Sequence, residues 1–292
     1  MRYLPAGSFA GKNMPYRHAR WWLLLLFPLI AIAFWPGYFG QLGEAPFALH
    51  AHGITATLWL MLLTAQSWSI HARKAAWHRA AGMATFGVLP LFAAAGPLAL
   101  QGMAMLWREQ ADPFHSAFGA QLVIADVIAG PTVVVLAVYA FVQRRRVTAH
   151  ASAMLATALL VLPPIIGRLF PAIPGFPHGG GAGFAGFRLS FQLAEAITLA
   201  VAIALAVKTP AARTGFGIAA VATAAQMIGF ETIGRSELWH RWVDLLTRIP
   251  AAPMALAAGV ATAALLFWAW RRVPPRGQVA GDRVTVEGAV RA

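Results

Sequence analysis

The sequence predicts an all-α integral membrane protein of about eight transmembrane helices, and three observations carry that reading. Of its 292 residues, 59% are apolar and only 11% charged, where soluble domains carry roughly 25% charged residues; the mean hydropathy is +0.63. The apolar residues fall in runs of about 20, the length a helix needs to cross a bilayer. The cations, a formal net charge of +13, sit in short clusters between those runs. That pattern suits topology signals and anionic lipid head groups, and it argues against nucleic acid, which needs a basic face.

Taken in order, the spans are 21–38, 47–70, 76–107, 113–142, 149–170, 187–207, 216–234 and 252–270. Arg2, Lys12, Arg17 and Arg20 precede the first run, and no small-residue cleavage site follows it, so it reads as a retained helix. The third span is long enough to tilt, or to break near Pro90 or Pro97. Asp112-Pro113 is a helix start, an N-cap acid with proline at the first position. Lys and Arg alternate between loops so that both termini fall in the cytoplasm. Arg235, Arg241 and Arg248 break that alternation, but Glu237 and Asp244 balance them as i,i+4 pairs on a short interfacial helix. Residues 1–20 are then a basic cytoplasmic N-terminus and 21–270 a single transmembrane domain. Its core is 47–170, with accessory helices at 21–38 and 187–270. The Gly/Pro-rich loop 171–186 is a connector or lid, and 271–292 a disordered cytoplasmic tail.

Chemistry concentrates in the histidines. There is no cysteine, which excludes disulfides, thiolate metal sites and cysteine nucleophiles, and no P-loop, Rossmann glycine pattern, HExxH or GxSxG occurs. His50 and His115 lie near the outer ends of spans 2 and 4, and His78 and His150 near the inner ends of spans 3 and 5. If these four spans bundle, His50 faces His115 and His78 faces His150, two pairs roughly 30 Å apart. Paired imidazoles on facing helices are what a six-coordinate haem requires. Arg73, Arg79 and Arg144 are placed to hold propionates or a small anionic reductant, and Gly53 and Gly82 would admit a flat ring. The bland alternative is that histidine at a helix end is an ordinary interfacial residue. His50, His52 and His115 also offer a zinc or copper site.

Three acids fall inside apolar spans: Asp126, Glu195 and Glu231. An ionised carboxylate is costly in hydrocarbon, so each should face a partner, a cavity or a proton path. Arg168 and Arg188 are the expected partners of Glu231 and Glu195, which leaves Asp126 without a cation at its depth.

The residues His50, Gln66, Arg73, His78-Arg79 and Gly82, with Arg144, His150, Met154 and Arg168, resemble a family of uncharacterised bacterial multi-pass membrane proteins. The four-span histidine arrangement is similar to the di-haem transmembrane cytochromes b of the ascorbate-reductase type. That resemblance implies one or two haem b groups, ligated by His50 with His115 and by His78 with His150. It also implies a bacterial inner (cytoplasmic) membrane and electron transfer from a quinol or small anionic reductant. The competing expectation is a non-redox protein: an ion or small-molecule permease with Asp126, Glu195 and Glu231 along a path, or a structural partner in a membrane complex.

Overall fold

A computed structural model describes residues 15–177 and 184–273. The readings of the extreme N-terminus, of His178 and the glycines after it, and of the tail beyond 273 lie outside the described residues. Among the described residues the chain is helical, with no strand. The α-helices are α1 (Ala19–Phe34), α2 (Phe47–His71), α3 (Ala75–Arg108), α4 (Pro113–Val142), α5 (Val147–Leu159) and α6 (Leu162–Leu169). They continue as α7 (Ala185–Lys208), α8 (Arg213–Glu231), α9 (Glu237–Arg248) and α10 (Ala251–Arg271). Seven helical segments among the described residues are long and apolar enough to cross a membrane, α5 and α6 counting as one, and α1 is a shorter apolar helix. The chain is a multi-pass, all-α membrane protein.

Local chemistry accounts for the boundaries. Asp112 caps α4 by accepting from the main-chain amides of Phe114 and His115, each at 2.9 Å, with Pro113 in the first turn. The turn between α2 and α3 places Arg73 at φ 60°, a left-handed conformation for a residue with a Cβ. α3 runs unbroken through Pro90 and Pro97, with α2 and α10 packed on it. The fifth span is the one that breaks. α5 ends at Leu159 and α6 restarts at Leu162, because Pro163 and Pro164 supply no amide to the preceding turn, although Leu160 and Val161 keep right-handed φ/ψ. α9 is the expected short helix, with i,i+4 pairs Arg241–Glu237 at 3.7 Å and Arg248–Asp244 at 2.7 Å.

Helix neighbours form a closed circuit: α2 on α3, α3 on α4, α4 on α8, α8 on α7, α7 on α6, α6 on α1, and α1 on α2. α5 fills one end of this circuit against α4 and α8, while α9 and α10 lie outside on α3 and α4. A sealed middle layer crosses the interior. Trp59, Leu63, Leu89, Val133 and Leu136 pack in one buried cluster, and the Trp59 indole donates to the Thr157 hydroxyl at 3.1 Å. Lipid offers helices no hydrophobic drive to associate, so close packing and such hydrogen bonds hold them. At Gly215 two helices meet with no room for a side chain, since a Cβ there would stand 2.7 Å from the Ala153 amide nitrogen.

That contact gives a stability prediction. Gly215→Ala must part α8 from α5 and should cost about 1–3 kcal/mol, read as a lower melting temperature in detergent. Gly217→Ala, with nothing within 4 Å of its Cβ position, should leave it unchanged.

Candidate functional site

The inner histidines are held in matching ways. α3 turns His78 towards α2, where its Nδ1 meets the Gln66 carbonyl at 3.4 Å. α5 turns His150 towards α4, where its Nδ1 meets the Ala140 carbonyl at 2.9 Å. A ring nitrogen bonded to a carbonyl must donate, so both imidazoles carry the Nδ1 proton and leave Nε2 as a free acceptor. His150 lies within electrostatic reach of His78 and of Arg144. Both rings are half-buried beneath the sealed layer.

The cations around them divide. Arg79 is exposed and adjoins His78, and Arg73 is exposed in the left-handed turn. Arg144 is committed elsewhere. It stacks on Trp270 at 4.3 Å and donates to the carbonyls of Trp270, at 2.8 Å, and of Val273, clamping the end of α10. Desolvation in that clamp lowers its pKa from the ordinary arginine value. Gly82 faces the Gln66 amide, whose Nε2 lies 3.1 Å from its Cβ position. His71 uses both nitrogens, on the carbonyls of Ser67 at 2.6 Å and Pro15 at 3.2 Å.

The outer histidines are anchored separately. His50 Nδ1 bonds the Tyr38 hydroxyl at 2.9 Å, and the Tyr38 ring also covers Gly53. His115 Nδ1 bonds the Asp112 carboxylate, and its ring abuts Phe114. α2 and α4 are not packed neighbours, and no hydrogen bond or ring contact among the described residues joins His50 to His115. Among the described residues no group of three histidine or acidic side chains is placed to hold a metal ion.

The buried acids pair differently from the sequence expectation. Glu231 accepts from Arg188 Nε at 2.8 Å and from Gln192 at 3.0 Å, with Arg235 at 3.6 Å. The reason is register: Arg188 and Glu231 lie almost equally far along the chain from the α7–α8 turn, so the antiparallel hairpin brings them level. Arg168 does not reach Glu231: it donates to the Pro164 carbonyl at 2.9 Å and lies over the Phe34 ring at 4.4 Å. Among the described residues no ion pair reaches Asp126. Glu195 is 1% exposed and its Oε2 lacks a hydrogen-bond partner, as do the Thr223 Oγ1 and Gln226 Oε1 on α8.

Asp126 and Arg168 are both exposed, although each lies in a helical segment long and apolar enough to cross a membrane.

The Asp112 cap gives an acid-stability prediction. Hydrogen bonds from the His115 amide and ring, with that of Phe114, hold the Asp112 carboxyl below the usual carboxylate range. Its stabilisation is complete above the ordinary value of roughly 3.9 and lost as pH falls through the depressed one. Asp112→Asn keeps a cap acceptor but should flatten this part of the acid limb in melting temperature against pH; an unaltered limb would refute the assignment.

The chain matches no protein-family model, and no curated protein or solved structure is significantly similar to it.

Proposed function

We propose that the chain is a transmembrane electron carrier that binds haem b between His78 and His150. The observation that carries this reading is the matched posture of the two rings, each with Nδ1 donated to a main-chain carbonyl of the preceding helix and Nε2 free. A carbonyl on the far nitrogen fixes tautomer and ring orientation and raises the basicity of the ligating one. Two such imidazoles from different helices make an axial pair, and haem b held there would supply a one-electron carrier. Gln66 and Ala140 orient the ligands, while exposed Arg79 and Arg73 offer charge for propionates or a small anionic donor. His50 and His115 have no such support, so the reading takes one haem rather than two.

The same proposal takes α1 as a first span, giving eight, with both termini cytoplasmic in a bacterial inner membrane. At 16 residues and about 1.5 Å per residue, α1 is shorter than the hydrocarbon core. Local thinning of the bilayer would accommodate it. A second reading, a small-molecule permease, is favoured by one observation only, the exposed Asp126 within α4.

The test is optical. Purified protein from haem-supplemented cells should give a reduced-minus-oxidised spectrum with sharp cytochrome b bands. His78→Ala and His150→Ala should each abolish them, whereas His50→Ala and His115→Ala should keep them. A colourless wild-type protein, or bands that survive both inner substitutions, would sink the proposal.

A further inference from the structure

We infer that the opening between the ends of α4 and α10 is a binding site for the phosphate of an anionic phospholipid. The site stands apart from the haem proposal, and either can fail without the other.

The opening measures about 340 Å³ and is lined by Val142, Gln143, Arg145, Arg146, Arg272 and Val273. Small-molecule sites run from roughly 300 to 1,000 Å³, so a single head group is the size of ligand it admits. Arg144 builds it. By stacking on Trp270 and donating to the Trp270 and Val273 carbonyls, it draws the end of α10 against the end of α4. The same bonds matter electrostatically. Two helix C-termini meet here, and their bare carbonyls would repel an anion. Arg144 covers those of Phe141, Ala269, Trp270 and Val273, which leaves three further guanidinium groups in the wall. Arg146 is also the N-cap residue of α5, whose first turn carries neither a side-chain cap nor an acid. The positive end of a third helix therefore adds to the field.

Charge and depth select the ligand. The sequence has no Asp or Glu between residues 127 and 194 or between 245 and 281, so no carboxylate of these segments competes for the arginines. Arg145, Arg146 and Arg272 are all exposed. A guanidinium presents a planar fork of donors that matches the oxygens of a phosphate. Depth then separates a lipid phosphate from a soluble one. Trp268 and Trp270 are 47% and 39% exposed at this end of α10. Arg272 lies over the Trp268 ring at 4.8 Å, and Arg271 over the Phe267 ring at 4.5 Å. Exposed tryptophan beside arginine marks the head-group level of a bilayer. The anion met at that level is a phosphate with apolar chains attached, and basic openings between membrane helices suit it.

The experiment takes the purified full chain in a neutral detergent and adds phosphatidylglycerol or phosphatidylcholine of the same acyl chains. Lipid retained per chain is counted by native mass spectrometry. Wild type should hold one phosphatidylglycerol in preference to phosphatidylcholine, and less tightly as salt rises. Arg146→Gln/Arg272→Gln should weaken phosphatidylglycerol binding about tenfold or more, the worth of one charged hydrogen bond. Lys208→Gln/Arg213→Gln removes the same charge from the exposed turn between α7 and α8 and should leave binding unchanged. Equal retention of the two lipids by wild type, equal loss in the two paired variants, or full binding by the first pair would overturn the inference. So would displacement of the lipid by inorganic phosphate at equal concentration, which gives the site to a soluble anion. Should the first pair not purify, Arg272→Gln alone must still lose affinity severalfold, and no loss there is equally fatal.

Discussion

The arrangement of the interior depends on one backbone constraint, the loss of consecutive amides at Pro163 and Pro164. Had the fifth span continued as one helix, its far half would have stayed against α4 and α8, where α5 lies. The break instead sends α6 towards α1 and α7. Such a break is tolerated in a membrane only where protein covers the freed backbone. The amides missing at Pro163 and Pro164 free the carbonyls of Leu159 and Leu160, and Leu160 is itself buried in the apolar cluster.

Elsewhere the bundle tolerates little space. Gly215 brings α8 against the α5 backbone, and Ala194, Thr198 and Ala202, all 0% exposed, line the interior of α7. Small residues let helices approach closely enough for dispersion and weak hydrogen bonds to replace the missing hydrophobic drive. Against that background the accessible Asp126 and Arg168 are the exception, and their cost in hydrocarbon calls for polar surroundings. Glu231 differs because Arg188, Gln192 and Arg235 already satisfy it. The orphaned atoms of Glu195, Thr223 and Gln226 mark a second polar seam, between α7 and α8.

How much of this was readable in the chain follows from what a helix encodes. Sequence gives depth directly, because each residue advances a fixed rise. The helical class, the Asp112 cap, the α9 ion pairs and the levels of His78 and His150 are depth statements, and all were legible. Azimuth is different: which helix a side chain faces is decided by long-range packing. The Arg188–Glu231 pairing and the commitment of Arg144 to α10 are azimuth statements, and depth alone misassigned them. Pro163-Pro164 sat in plain view, but its consequence, a redirected half-helix, appears only once α1 and α7 are in place.

The two polar regions also bear on each other. His52, Trp59 and Gln66 recur every seven residues on one stripe of α2, so His52 and the inner imidazole level are separated by about 20 Å of helix. Between them, Trp59, Leu89 and Leu136 are each 0% exposed, and the indole spends its only donor on Thr157. A solute passing between those levels would have to part these buried residues, whereas an electron would not. The packing at this level is therefore what the electron-carrier proposal asks of the interior, and it sets the levels of His52 and Gln66 apart on one helix.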